Sequence, residues 1–210
     1  MSALPIISLA GLRSDVPAQR RATAAELGRA CREVGFFYAT DHGIPQAVCE
    51  DAFTLAKELF ALPIAEKEVL SIKRSPHNRG YVAMADEKLN PESGADMKEA
   101  FNIGTDFPED HPDVLAGKPF RGVNFWPPID GWRQRALDYF NHCLELGRTI
   151  HRGFSMDLGL DEDRRLPPCA CCAIHRAPAP TPGKTVVLEP TVITATSPFW
   201  RQTRLPGWKC

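Results

Sequence analysis

Ala24, Leu27, Ala30, Cys31 and Val34 return at the spacing of one helical face and predict an amphipathic helix over residues 17–34, its stripe turned to a core. Ser14 or Asp15 is placed to cap its start, and Gly35, able to take a left-handed conformation, to end it. Residues 36–40 are aromatic and β-branched, so a strand follows, and Pro45 opens a second helix that runs to Phe60 with Val48, Ala52, Leu55 and Leu59 on one face. Leu62-Pro63 stops it. Upstream, residues 5–9 read as a short strand.

The rhythm then loosens. Residues 75–93 are rich in turn formers, with Gly80-Tyr81-Val82 as the strand-like piece, and residues 98–103 alternate well enough to form a strand. From 107 to 128 the chain reads as loop; a long helix follows over residues 129–156, its stripe made by Ala136, Phe140, Cys143, Leu144, Gly147, Ile150 and Phe154. Beyond Asp163 periodicity disappears, and only residues 185–188 and 192–193 look strand-like, with no evident partner.

Composition sharpens that break. The chain has 210 residues, 43% of them hydrophobic and 24% charged, enough for one domain or one domain and a tail. Its formal charge of −1 divides into −7 over residues 1–163 and +6 over residues 164–210, and eight of the 19 prolines lie in the second stretch. Two compositions are joined near Asp163. No apolar run is long enough to cross a bilayer, which predicts a cytoplasmic chain, and Cys31, Cys49 and Cys143 on predicted helices imply no disulfide framework.

The stretch from Glu33 to Pro45, preceded by Leu4-Pro5-Ile6-Ile7-Ser8-Leu9 and followed by Phe60-Ala61-Leu62-Pro63 and Glu66-Lys67, resembles the N-terminal region of the isopenicillin N synthase-like Fe(II)/2-oxoglutarate oxygenases. Arg79-Gly80-Tyr81, Asp96-Met97-Lys98-Glu99-Ala100-Phe101, Asn124-Phe125-Trp126-Pro127 and Leu158-Gly159-Leu160-Asp161 continue the likeness in order; where the family usually writes Asn-His-Gly this chain has Asp41-His42-Gly43. The resemblance implies an α/β (α+β) fold, the helical and strand region that packs around a double-stranded β-helix of jelly-roll type, with most of that barrel missing. It also implies an oxidoreductase of the dioxygenase class that uses Fe(II) and 2-oxoglutarate on a small-molecule substrate. In relatives the region of Arg79 and Tyr81 approaches that substrate; for Arg79 a surface ion pair is the plainer alternative.

The family holds iron with two His and one carboxylate, a set that leaves positions open for 2-oxoglutarate and dioxygen. His111-Pro112-Asp113 matches the short His-x-Asp form as text, but it sits in a proline-flanked acidic loop upstream of where the family keeps its ligands, and is read as a decoy. His142 and His151 fall on the long helix, where a structural or solvated role outweighs ligation. Cys169, Cys171, Cys172 and His175 have the donor types that zinc takes, at a spacing that argues against a tetrahedral site. Seven basic residues scattered through 164–210 form no nucleic-acid-binding patch.

Back-translating the tail in a displaced frame supplies a simpler account of it. Over residues 167–175 the shifted codons can spell Ala-Leu-Arg-Val-Leu-Arg-Tyr-Pro, and over 188–196 Gly-Ala-His-Ser-Asp-Tyr-Gly-Asn, which contains the missing His-x-Asp. The expectation is therefore a non-haem dioxygenase N-terminal domain at residues 1–163 and an out-of-frame, disordered tail at 164–210. Neither iron nor 2-oxoglutarate is expected to bind this chain, no residue is assigned to catalysis or metal, and an uncovered face on the long helix predicts marginal stability. Substrate identity and oligomeric state stay open at this level.

Overall fold

The computed structural model describes residues 4–86, 98–161, 171–176 and 193–196. These fall into two compact units. One gathers residues 4–45 and 142–161, the other residues 46–141 with 171–176 and 193–196, counting described residues only.

The first unit is built on β1 (Ile6–Ser8), α1 (Pro17–Glu33) and β2 (Tyr38–Thr40). β1 and β2 pair in parallel, Ile6 opposite Tyr38 and Ser8 opposite Thr40, so α1 is the crossover that parallel pairing requires. Ile7, Leu9, Leu12, Ala24, Leu27 and Ala30 are buried together, and Leu146, Ile150, Phe154 and Met156 of the long helix pack against them. The stripe expected to lie bare on that helix is thus covered in part. The helix α1 starts differently from expectation: its N-cap is Val16, with Pro17 in the first turn, and Ser14 instead accepts the Val16 N–H through Oγ. A proline at the first position has no N–H to satisfy, which removes one reason for a polar cap.

Gly35 ends α1 as the pattern predicts, at φ +86, its N–H donating to the Ala30 carbonyl at 3.0 Å. Open space surrounds the point where a Cβ would sit. Gly35→Ala should therefore cost about 1 kcal/mol from backbone conformation alone, read as a lower urea midpoint at unchanged slope. Asp41 also takes a positive φ, +51, where Asn is at least as well tolerated; its carboxylate accepts from Ser8 Oγ at 2.6 Å and its carbonyl from Arg13. Asp and Asn can both fill that role, which explains the departure from Asn-His-Gly.

In the second unit, α2 (Gln46–Phe60) is followed at once by α3 (Ile64–Val69), which the sequence reading passed over. Pro63 halts the first helix and, as N-cap, begins the next. β3 (Gly80–Val82) and β4 (Glu99–Gly104) form a hairpin, Tyr81 opposite Phe101, within an antiparallel sheet ordered β3-β4-β5-β6. β5 (Cys171–Arg176) and β6 (Ile193–Thr196) lie in the stretch for which the sequence offered no partner. Ladder bonds are made by the backbone, so pairing along β4 does not require a readable side-chain pattern. The expected run at residues 185–188 lies outside the described residues.

The long helix, α5 (Trp132–Asp157), carries Trp132 at its start. That indole is fully buried, donates Nε1–H to the Leu55 carbonyl at 3.1 Å, and meets Phe101 edge-on with ring centres 5.5 Å apart. Arg135, one turn on, pairs with both Asp51 and Glu58 of α2. A short helix, α4 (Pro112–Leu115), interrupts the loop read between 107 and 128.

Candidate functional site

The two residues singled out by sequence flank Gly80 at the start of β3, and both are interior. Tyr81 is 4% exposed. Its hydroxyl donates to Glu99 Oε2 at 2.7 Å, and Lys67 Nζ donates to the same oxygen at 2.9 Å and to the Phe60 carbonyl at 3.3 Å. The ammonium also lies 5.2 Å from the centre of the Tyr81 ring. Three polar side chains from α3, β3 and β4 thus satisfy one another away from water. Burial, reinforced by the bond to Glu99, pushes the Tyr81 phenol well above its ordinary range, so it stays protonated and remains a donor.

Arg79 is 3% exposed, and a surface ion pair does not describe it. Its Nη1 donates to the His77 carbonyl at 3.1 Å and its Nη2 to the Phe120 carbonyl at 3.2 Å. The guanidinium lies against Gly104, where a Cβ would meet it, so a larger residue at this end of β4 would displace Arg79. Within the described residues both side chains fasten the segments around them.

A further clamp was missed. Asn124 accepts the Gly104 N–H through Oδ1 and returns Nδ2–H to the Gly104 carbonyl, both at 2.9 Å, so its amide acts as one more strand residue at the end of β4. The same Nδ2 donates to Asp106 Oδ1 at 3.1 Å, and Asp106 in turn takes Arg133, whose guanidinium stands 5.7 Å from the Trp126 ring centre. The signal was there in Asn124-Phe125-Trp126-Pro127, but as a motif without a geometry. Beside β3 an open cavity of about 430 Å³ is lined by Ile72, Lys73, Ser75, Pro76, Asn78, Val82 and Asp86, with Lys73 and Asp86 paired at 2.7 Å.

His111 and Asp113 have local employment. His111 is the N-cap of α4, its Nδ1 accepting the Asp113 N–H at 3.1 Å, while Asp113 pairs with Lys118, whose bond holds the carboxyl below the usual range. His42 accepts the Ile44 N–H in the same manner. Among the described residues no three His, Cys, Asp or Glu side chains come together as a metal would need. Cys171, Cys172 and His175 lie on β5; Cys169 falls outside the described residues. Among the described residues no helix is long and apolar enough to cross a membrane.

Comparison with known proteins gives this geometry a setting. Residues 4–129 match the family described as non-haem dioxygenase in morphine synthesis N-terminal. The chain is 37% identical over 145 residues to kihadalactone A synthase of Citrus sinensis, covering 67% of this chain and 42% of that one. It is 32% identical over 163 residues to the 2-oxoglutarate-dependent dioxygenase thnC of Trichoderma harzianum, covering 76% and 49%. Among solved structures it resembles a putative 2OG-Fe(II) oxygenase family protein from Caulobacter crescentus, with a TM-score of 0.70 at 24% identity over 88% of this chain and 59% of that one. The dioxygenase for auxin oxidation in rice gives a TM-score of 0.56 at 20% identity over 83% and 51%. The chain spans about half the length of the curated relatives it matches.

Proposed function

From the premise that the chain belongs to the Fe(II)/2-oxoglutarate oxygenases through its non-haem dioxygenase N-terminal region, we propose that it is the N-terminal part of an oxidoreductase acting on a small molecule. As written it does not catalyse. Its share of the enzyme is to hold the β3–β4 hairpin and the loop that Asn124 fastens, with Arg79 and Tyr81 as the interior ties of a surface that other parts of the site complete.

The observation that carries this reading is the break near Asp163, where composition changes and beyond which a displaced frame can spell the His-Ser-Asp that the family uses for its first two ligands. In its family region His42 and His111 each accept a backbone N–H two residues on.

The test is to express the chain as given beside one whose frame is restored after codon 163, and to measure iron bound under anaerobic conditions and succinate formed from 2-oxoglutarate. Stoichiometric iron and turnover are expected from the restored chain alone. Iron and turnover in the chain as given would overturn the reading. A second reading, a small zinc module using Cys169, Cys171, Cys172 and His175, predicts stoichiometric zinc in the same metal analysis of the unrestored chain.

A further inference from the structure

We propose that Phe120 is a specificity-determining side chain that meets the apolar face of a small organic substrate, and that Arg79 is the positioning residue that holds it there. The inference deepens the proposed function and rests on it.

Lys118-Pro119-Phe120-Arg121 is a tight turn closed by a bond from the Arg121 N–H to the Lys118 carbonyl at 3.1 Å. Proline at its second position and φ +59 at its third are the marks of a type II turn, whose third position calls for glycine or asparagine. A phenylalanine stands there instead. Bulky residues rarely occupy left-handed backbone, and where they do the conformation is imposed by surroundings, most often at binding and catalytic sites.

The strain is not repaid by burial of the ring, because Phe120 is 49% exposed. The turn is instead held from beneath. Arg79, buried at 3% exposure, donates Nη2 to the Phe120 carbonyl and Nη1 to the His77 carbonyl, so one planar guanidinium grips both sides. Downstream, Asn124 pins the strand end with two bonds to Gly104, the glycine on which that guanidinium lies. Arg121, the last residue of the turn, stands 5.5 Å from the centre of the Phe107 ring. A buried cation and an unfavourable backbone angle are both committed to one outcome: a phenyl ring held out at a fixed place. A turn that served only to close the loop would carry glycine, as at the neighbouring Gly117, which takes φ +61.

The test places 4-fluorophenylalanine at position 120 of the full chain and titrates it with indole as a flat apolar probe, following the fluorine resonance. A saturable shift is expected. Arg79→Gln should weaken indole binding about tenfold, and Arg79→Lys should do the same, because an ammonium cannot reproduce a planar fork to two carbonyls. Phe120→Gly should raise the melting temperature by relieving the turn, which a ring serving structure would not permit. A resonance unmoved by indole in a folded chain, full binding in Arg79→Lys, or a lower melting temperature for Phe120→Gly would each overturn the proposal. Indole binding needs neither iron nor 2-oxoglutarate, so this test can fail while the restored enzyme turns over, or succeed while it does not.

Discussion

Lys67→Met is expected to be the most damaging single change in the second unit, by about 3–5 kcal/mol, because it removes one partner of a buried ion pair. Lys67 and Glu99 side chains are each only 7% exposed, and after the substitution Glu99 Oε2 would retain the Tyr81 hydroxyl without its counter-charge. The ion pair is not thereby shown to be worth that much. Removing all three polar tips together, as Lys67→Met, Glu99→Leu and Tyr81→Phe, should recover most of the loss, since well-packed apolar replacements of buried pairs are near neutral or better. Urea unfolding of the single and triple variants measures both. A single variant within about 1 kcal/mol of the parent would mean that water reaches Glu99, contrary to its burial.

Asn124→Leu keeps nearly the same shape and removes the amide. Two backbone groups of Gly104 then lose their partners at once, and each orphaned buried group costs about 1–3 kcal/mol, giving about 2–6 in all. The loss should be local as well as global. Gly104 stands at the end of β4 opposite Cys171, so amide exchange should accelerate first at that end of the strand and least at Glu99. Uniform acceleration along β4 would indicate that Asn124 supports the unit in some other way.

The regular elements were legible because each announces itself over a few adjacent residues. The stripe at Ala24, Leu27 and Ala30, the stop at Gly35 and the aromatic run into β2 need only local rules, and they gave α1 and β2 to within a residue or two of the observed ends. Local rules also misled where one residue had two uses. Pro63 was read as a terminator and is also the cap of α3, and Pro17 made the caps offered at Ser14 and Asp15 unnecessary.

The site was harder to see, because its residues are far apart in sequence. Lys67, Tyr81 and Glu99 meet only once the hairpin has paired, and no spacing rule links such positions. Tyr81 and Arg79 were noticed through a family motif; the partners that hold them inside, Glu99 and the Phe120 carbonyl, are distant in sequence and no side-chain pattern advertises them. Phe120 itself was hidden by its identity, since a turn predictor looks for glycine after Pro119.

The core beneath α1 contains one more consequence, for the order of events during synthesis. Its first six members are made by residue 30, but the side chains that close over them, Leu146 to Met156, emerge more than a hundred residues later. At ordinary translation rates that interval is roughly 6–25 s. Throughout it Leu12 and Leu27 leave the ribosome without their cover, while the second unit's own elements are being made in between. The nascent chain should therefore be a client of ribosome-bound chaperones until α5 is finished.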